Sequence, residues 1–319
     1  MGDKPEIDIR EVGLRDGLQL ESAIPLRDKV ALLEALAATG VGRIEATSFV
    51  SPKAVPALAD AAELAAELQH WPEIEFTALV AGSGGARRAL AAGMHRLEYV
   101  ISVTDGHSLA NVGRRTEESV ALISDIATMC RSEGGVLEVI LATAWDCPFE
   151  GRTESHRVLD VATRAAAAGA TRLCLADTIG TASPGRVVDL VTAVRNVVAG
   201  LDIGVHLHNT RGAGLACAWA AWQAGVRSFD ASFGGLGGCP FAPGASGNIA
   251  TEELTYMFEE SGIATGISLG ALLDAVDLLS QLLGKTLPSN LFRAYQSNSV
   301  QRCSNSGTVR SRSRGFPSA

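Results

Sequence analysis

The chain has 319 residues, of which 47% are hydrophobic and 19% charged. That composition excludes a disordered chain and leaves room for two ordinary domains or one large α/β barrel. Lys and Arg number 27 against 35 Asp and Glu, a net charge of −8, so the basic footprint of a nucleic-acid-binding protein is missing.

The six cysteines stand at 130, 147, 174, 217, 239 and 303, with no C-x-x-C pair. This spacing excludes zinc-ribbon and thioredoxin-type sites and fits a reducing compartment. No run of about 18 apolar residues is present, and the N-terminus has no apolar signal core. The expectation is a cytoplasmic protein that avoids membranes.

Along the chain, short β-branched runs alternate with longer Ala/Leu/Glu-rich stretches. Strands are expected at 7–12, 42–46, 74–80, 96–103, 136–143, 171–176, 203–208 and 227–232. Helices are expected at about 25–38, 54–69, 84–92, 116–133, 154–168, 184–199, 213–224 and 250–261. Gly40, Gly93, Gly169 and Gly225 each follow such a helix and suit a left-handed C-cap. Eight strand–helix units predict an α/β fold, a (β/α)8 TIM barrel. A doubly wound sheet is the competing architecture, but no G-x-G-x-x-G follows the first strand. One additional C-terminal helix is expected at about 267–284. The barrel domain is therefore set at 1–285, and 286–319 is read as a flexible extension, Ser/Arg/Gly-rich from 300 on.

In such a barrel the C-terminal strand ends and the loops after them face the active site. Those positions hold Arg15 and Asp16 after the first strand, Glu45 on the second, Asp177 on the sixth, and His206 and His208 on the seventh. Two imidazoles at i and i+2 of a strand project to one face. With an Asp carboxylate and an Asn carbonyl they form a mixed N/O set suited to Mn²⁺, Mg²⁺ or Zn²⁺. Each residue also has a plain reading: hydrogen-bonded strand-end histidines, a surface Arg15–Asp16 pair, solvated loop carboxylates, or a turn cap in the case of Asp177. The other four histidines (70, 95, 107, 156) are expected on surfaces or helix ends. Between 234 and 248 lie six glycines, Pro240, Pro243 and Cys239, a composition that suggests a shaped lid. Cys130, Cys174 and Cys217 are read as packing residues.

The segments Glu11 to Gln19, Thr47 to Lys53, Cys147 to Gly151, Asp177 to Gly180, His206-x-His208 and Gly235 to Asn248 resemble those of the 3-hydroxy-3-methylglutaryl-CoA lyases. The resemblance covers roughly residues 6–285. It implies a divalent metal, Mg²⁺ or Mn²⁺, held by Asp16, His206, His208 and Asn248. It implies Arg15 near the thioester carbonyl, Glu45 in support, and Asp177 and Cys239 as acid–base residues. The implied partner is an acyl-CoA, the implied reaction a retro-Claisen cleavage to acetyl-CoA and acetoacetate, and a homodimer is expected. The chain departs from the family pattern at Asn209 and Arg211, at Leu109 and Ala110 where paired lysines are usual, at Trp145, and at Phe233-Gly234. These changes bear on the acyl group, and open the alternatives of (R)-citramalyl-CoA or a longer 3-hydroxy-3-alkylglutaryl-CoA. Claisen-type synthases share the barrel and are the further alternative.

Overall fold

The computed structural model describes residues 5–238 and 247–297. Eight parallel strands close into a barrel: β1 (Asp8–Glu11), β2 (Arg43–Ser48), β3 (Glu75–Val80), β4 (Arg96–Ser102), β5 (Val136–Ala142), β6 (Arg172–Asp177), β7 (Asp202–Leu207) and β8 (Ser228–Ala231). β1 pairs with β8 on one side and β2 on the other, which completes the ring. The barrel expectation holds, and every strand lies within two residues of its expected position.

Helices surround the ring: α1 (Leu26–Ala37), α2 (Ala61–Glu67), α3 (Ser83–Ala91), α4 (Asp105–Val112), α5 (Thr116–Ala121), α6 (Ile123–Ser132), α7 (Ser155–Ala167), α8 (Pro184–Val197), α9 (Gly214–Gln223), α10 (Thr251–Glu260) and α11 (Leu269–Leu283). Gly40, Gly93, Gly169 and Gly225 all take positive φ, between 83° and 103°, where each chain turns back into a strand. The helix expected at 54–69 is shorter. Pro56 opens a separate 3-10 turn, and the α-helix begins only at Ala61. The helix expected at 116–133 is broken at Leu122. Helix α4 was not foreseen, because its residues Asp105 to Val112 lack a long apolar stripe. A small hairpin, Asp146–Cys147 against Gly151–Arg152, follows β5.

The extension expected from 286 starts as part of the packed domain. Leu287, Ser289 and Phe292 are buried, and residues 290–297 are helical. Residues 298–319 lie outside the described residues. Among the described residues no helix is long and apolar enough to cross a membrane.

Two layers fill the structure. Apolar faces of helices and outward strand residues form the main core. Inside the barrel the strands carry a small apolar layer (Leu79, Ile140, Cys174, Ala176) and, near the other end, a charged one. There Arg10 (1% exposed) reaches Glu98, Glu138 and Asp230 at 2.7–2.9 Å. A buried guanidinium needs such partners, since an unpaired charge costs several kcal/mol.

Phe258 of α10 packs fully buried against Phe229 of β8 and Trp219 and Trp222 of α9, with ring centroids 5.4–6.5 Å apart. This cluster locks the last barrel unit, whose loop returns to the site. Phe258→Ala should cost about 3–5 kcal/mol of unfolding free energy, read from the denaturant midpoint; a loss under about 1 kcal/mol would show that the cluster does not hold this unit.

Candidate functional site: a metal centre at the barrel mouth

Asp16 is delivered by an unusual turn. After β1, residues Gly13–Gly17 form a π-helical turn in which the N–H groups of Arg15, Asp16 and Gly17 all donate to the Val12 carbonyl. Glu11 anchors it. Its Oε1 accepts from Gly13 N at 2.7 Å and Phe233 N at 3.0 Å, and its Oε2 from the Thr251 hydroxyl at 2.6 Å. Gly13 allows the approach: a Cβ there would sit 2.3 Å from the Phe233 ring. The turn is thereby tied to the segment after β8.

His206 points into the barrel from β7, and His208 follows just past its end. Asn248 arrives from far along the chain. Residues 247–249 come back beside β7, where Asn209 N donates to Gly247 O and Ile249 N to Leu207 O, and His208 and Asn248 form a bridge pair. Backbone pairing thus sets Asn248 opposite His208.

The ligand atoms of Asp16, His206 and His208 lie within 4.8 Å of one another, all buried. The two imidazoles approach at 3.1 Å through their Nε2 atoms, and His206 Nε2 stands 4.0 Å from Asp16 Oδ2. Asn248 Nδ2 donates to that same Asp16 oxygen at 2.6 Å and to Leu236 O at 3.1 Å, whereas its Oδ1 is buried with no partner among the described residues. Two converging nitrogens, a carboxylate and an orphaned amide oxygen fit a divalent cation of intermediate hardness. All four residues expected as ligands are therefore brought together.

Arg15 lies beside them. Its Nη1 donates to Asp16 Oδ1 at 2.6 Å, and its Nη2 meets Glu45 Oε2 at 2.7 Å. Gln19 Nε2 also donates to Asp16, at 2.7 Å. Glu45 sits where the β2–β3 register slips, between Glu45 and Thr47. Burial raises the Asp16 pKa, but Arg15 and the two imidazoles outweigh it and hold the carboxylate below its ordinary range. Burial drives Glu45 well above that range despite Arg15, and Glu98 adds to the rise. Burial, together with His206, brings His208 down to about 4, against the pull of Asp16. A neutral imidazole is the form that binds a metal.

Above the centre opens a cavity of about 1060 Å³. Arg15, Asp16, His206 and His208 line its inner end, over an apolar floor of Leu79, Val100, Ile140, Ala142 and Ala176. Arg88, Arg114 and the glycines at 82, 84 and 85 line it farther out. Gly238 is on its wall, next to Cys239, which lies outside the described residues.

Asp177 departs from expectation. Its neighbours Ala176 and Thr178 line the cavity, and by strand alternation its own side chain faces the other way. Both carboxylate oxygens are taken, by Thr181 N and Ala182 N at 3.0 Å. The plain reading of a turn cap is what the structure shows, and the acid–base role implied by the resemblance has no geometric support. Burial raises its pKa, and those two N–H groups oppose the rise. Trp145 likewise faces away from the acyl cavity: its Nε1 donates to Arg186 O at 3.2 Å. Asn209 accepts from Gly214 N at 3.0 Å, and Arg211 binds the carbonyls of Ile179 and Gly180. These two departures serve loop structure.

His107 was expected at a surface or helix end, and it is at a helix end, but buried in the cavity wall. Its Nδ1 is 2.6 Å from Ser102 Oγ, and burial lowers its pKa to about 4. His70, His95 and His156 are exposed as expected. Cys174, read as packing, also places its Sγ 3.8 Å from Asp230 Oδ2.

A closed barrel with an Asp/His/His/Asn cluster and a buried arginine at its C-terminal mouth defines a metal-binding enzyme site. The comparisons give the class. The HMGL-like family model matches residues 6–279. The (R)-citramalyl-CoA lyase of Chloroflexus aurantiacus is 41% identical over 299 residues, covering 90% of this chain and 94% of that one. Hydroxymethylglutaryl-CoA lyase YngG of Bacillus subtilis is 36% identical over 92% of this chain and 98% of its own. A crystal structure of a Bacillus subtilis HMG-CoA lyase superposes with a TM-score of 0.88 at 35% identity, covering 93% and 100% of the two chains. An HMG-CoA lyase from Acinetobacter baumannii, in complex with coenzyme A and 3-methylmalate, gives 0.86 at 37% identity and 98% of each chain. The chain belongs to the HMGL-like family and is a carbon–carbon lyase.

Two predictions follow from the geometry. A Cβ on Gly237, which has φ +124°, would stand 2.5 Å from Asn248 Nδ2 and 3.2 Å from Asp16 Oδ2. Gly237→Ala should weaken Mn²⁺ binding in equilibrium dialysis while the chain stays folded; unchanged affinity would show that Gly237 does not shape the site. His107 is held neutral in the fold, so between pH 6.5 and about 4 the unfolded chain binds the extra proton and stability falls as pH falls. Over that window His107→Phe should make the pH dependence of unfolding shallower by about 1.4 kcal/mol per pH unit; an unchanged slope would place His107 in solvent.

Proposed function

We propose that the protein cleaves 3-hydroxy-3-methylglutaryl-CoA to acetyl-CoA and acetoacetate with Mg²⁺ or Mn²⁺ held by Asp16, His206, His208 and Asn248. The observation that carries this is the meeting of those four residues with Arg15 at the base of a cavity large enough for an acylated pantetheine arm. The relatives' names supply the acyl-CoA class, and the coenzyme A bound by the Acinetobacter protein supports it.

The reaction breaks the C2–C3 bond of a 3-hydroxyacyl thioester. The hydroxyl passes its proton to water in the cavity and becomes the ketone of acetoacetate, while the bond's electrons pass to the acetyl-CoA enolate, whose carbon is then protonated. A divalent ion would supply Lewis acidity that makes the hydroxyl acidic at neutral pH. We assign Arg15 to the enolate oxygen. Its charge is kept by Asp16 and Glu45, and its buried Nε–H has no partner among the described residues. A preorganised donor of this kind stabilises developing charge by about 3–4 kcal/mol. Cys239 is next in sequence to Gly238, which lines the cavity, and we assign it the proton returned to the enolate carbon. Asp177 is a positioning residue that holds the 178–182 loop, and Thr178 of that loop lines the cavity.

A second reading has its own support. The (R)-citramalyl-CoA lyase relative is 41% identical. The floor of Leu79, Val100, Ile140, Ala142 and Ala176 is apolar and suits an alkyl substituent in either substrate. The products separate the two, because citramalyl-CoA yields pyruvate. We also place the protein in the cytoplasm, as is consistent with its bacterial lyase relative.

The purified chain with Mn²⁺ should release acetyl-CoA and acetoacetate from 3-hydroxy-3-methylglutaryl-CoA, and none after chelation. At saturating Mn²⁺, Arg15→Gln should lower kcat about 10²–10³-fold. Pyruvate from citramalyl-CoA alone would establish the second reading. Turnover that survives complete metal removal would contradict both.

A further inference from the structure

His206 has a second nitrogen, and its surroundings reach the far interior of the barrel. Nδ1 lies 3.2 Å from Asp230 Oδ2. Asp230 projects inward from β8 and is gripped by Arg10 of β1 in a two-pronged pair, Nε to Oδ1 and Nη2 to Oδ2, both 2.9 Å. The far side of the same guanidinium is held as firmly. Nη1 meets Glu98 at 2.7 Å and Glu138 Oε2 at 2.9 Å, and Nη2 meets Glu138 Oε1 at 3.1 Å. Arg10, Glu98, Glu138 and Asp230 are all buried, and Cys174 Sγ also stands against Asp230, at 3.8 Å.

We propose that Arg10 is a positioning residue for the metal, clamping Asp230 so that its carboxylate accepts from His206 Nδ1 and turns Nε2 toward Asp16 and His208. This rests on the metal reading of the site given above. The physical ground is that an imidazole binds a cation through one nitrogen only when its ring is oriented and its tautomer is set. A carboxylate on the other nitrogen does both, and its loss typically weakens metal affinity 10–100-fold. A carboxylate alone in the barrel could rotate. Two parallel hydrogen bonds to a guanidinium that is itself fixed by Glu98 and Glu138 remove that freedom. A lysine supplies the same charge at a point and cannot make the fork. A network that served only to fill the barrel would affect stability and leave metal affinity alone.

The test is the Mn²⁺ dissociation constant of the purified full chain without acyl-CoA, read from the EPR signal of free Mn²⁺. Arg10→Lys keeps the buried charge, so the three carboxylates are not left unpaired and folding is preserved. It should weaken Mn²⁺ binding about 10-fold, and Asp230→Asn about 10–100-fold. Lys29→Met breaks a different, part-buried ion pair, with Asp60, outside this network and should leave the constant unchanged. Wild-type affinity in both Arg10→Lys and Asp230→Asn overturns the inference, as does a loss in Lys29→Met equal to theirs. A wild-type chain that binds no Mn²⁺ would instead bring down the metal reading on which the inference stands.

Discussion

Arg15 carries a full positive charge into the mouth of the barrel with 7% of its surface exposed. Such burial is sustained only by opposite charge, and here Asp16 and Glu45 supply it from either side at 2.6 and 2.7 Å. Ion pairs of this kind add little net stability, since desolvation offsets the Coulomb gain, but breaking one is costly. The effect is therefore one of position. The triad fixes where the Asp16 carboxylate points, and that direction decides whether two histidines from another strand and an asparagine from another loop can share a cation with it. Arg15 holds Asp16 ionised and in place, and its buried Nε–H has no partner among the described residues.

Charge also organises the rest of the barrel interior. From Glu45 the polar contacts run through Arg15 and Asp16 to Asn248 and the imidazoles, then through Asp230 to Arg10, Glu98 and Glu138. A small apolar layer from β3, β5 and β6, with Val100 of β4 packed against it, lies under the cavity. The acyl group would thus rest on hydrocarbon, while the reacting atoms face buried charge that needs little reorganisation.

Much of this was legible in the sequence, for identifiable reasons. Period-2 runs, helix stretches ending in Gly and eight regular units gave the barrel, and the barrel rule for strand ends gave Arg15, Asp16, Glu45, His206 and His208 as neighbours. Asn248 came only through the family resemblance, since backbone pairing after a long loop leaves no local pattern. For Asp177 and Trp145 the sequence left orientation open, because proximity to a strand end does not fix which way a side chain faces. One residue of phase separates Ala176 in the cavity wall from Asp177 in a loop cap. Arg10, Glu98, Glu138 and Asp230 were overlooked because charged residues on short strands read as solvent-facing, and a closed barrel turns them inward. His107 was lost with helix α4, whose residues carry no strong apolar stripe.

The central claim is that four side chains between positions 16 and 248 bind a single divalent cation. Anomalous diffraction at the manganese edge, from crystals of the full chain grown with Mn²⁺, tests it most directly. The account predicts one strong peak bonded to Asp16, His206 Nε2, His208 Nε2 and Asn248 Oδ1. A map with no peak there, or with manganese confined to surface carboxylates, would contradict it.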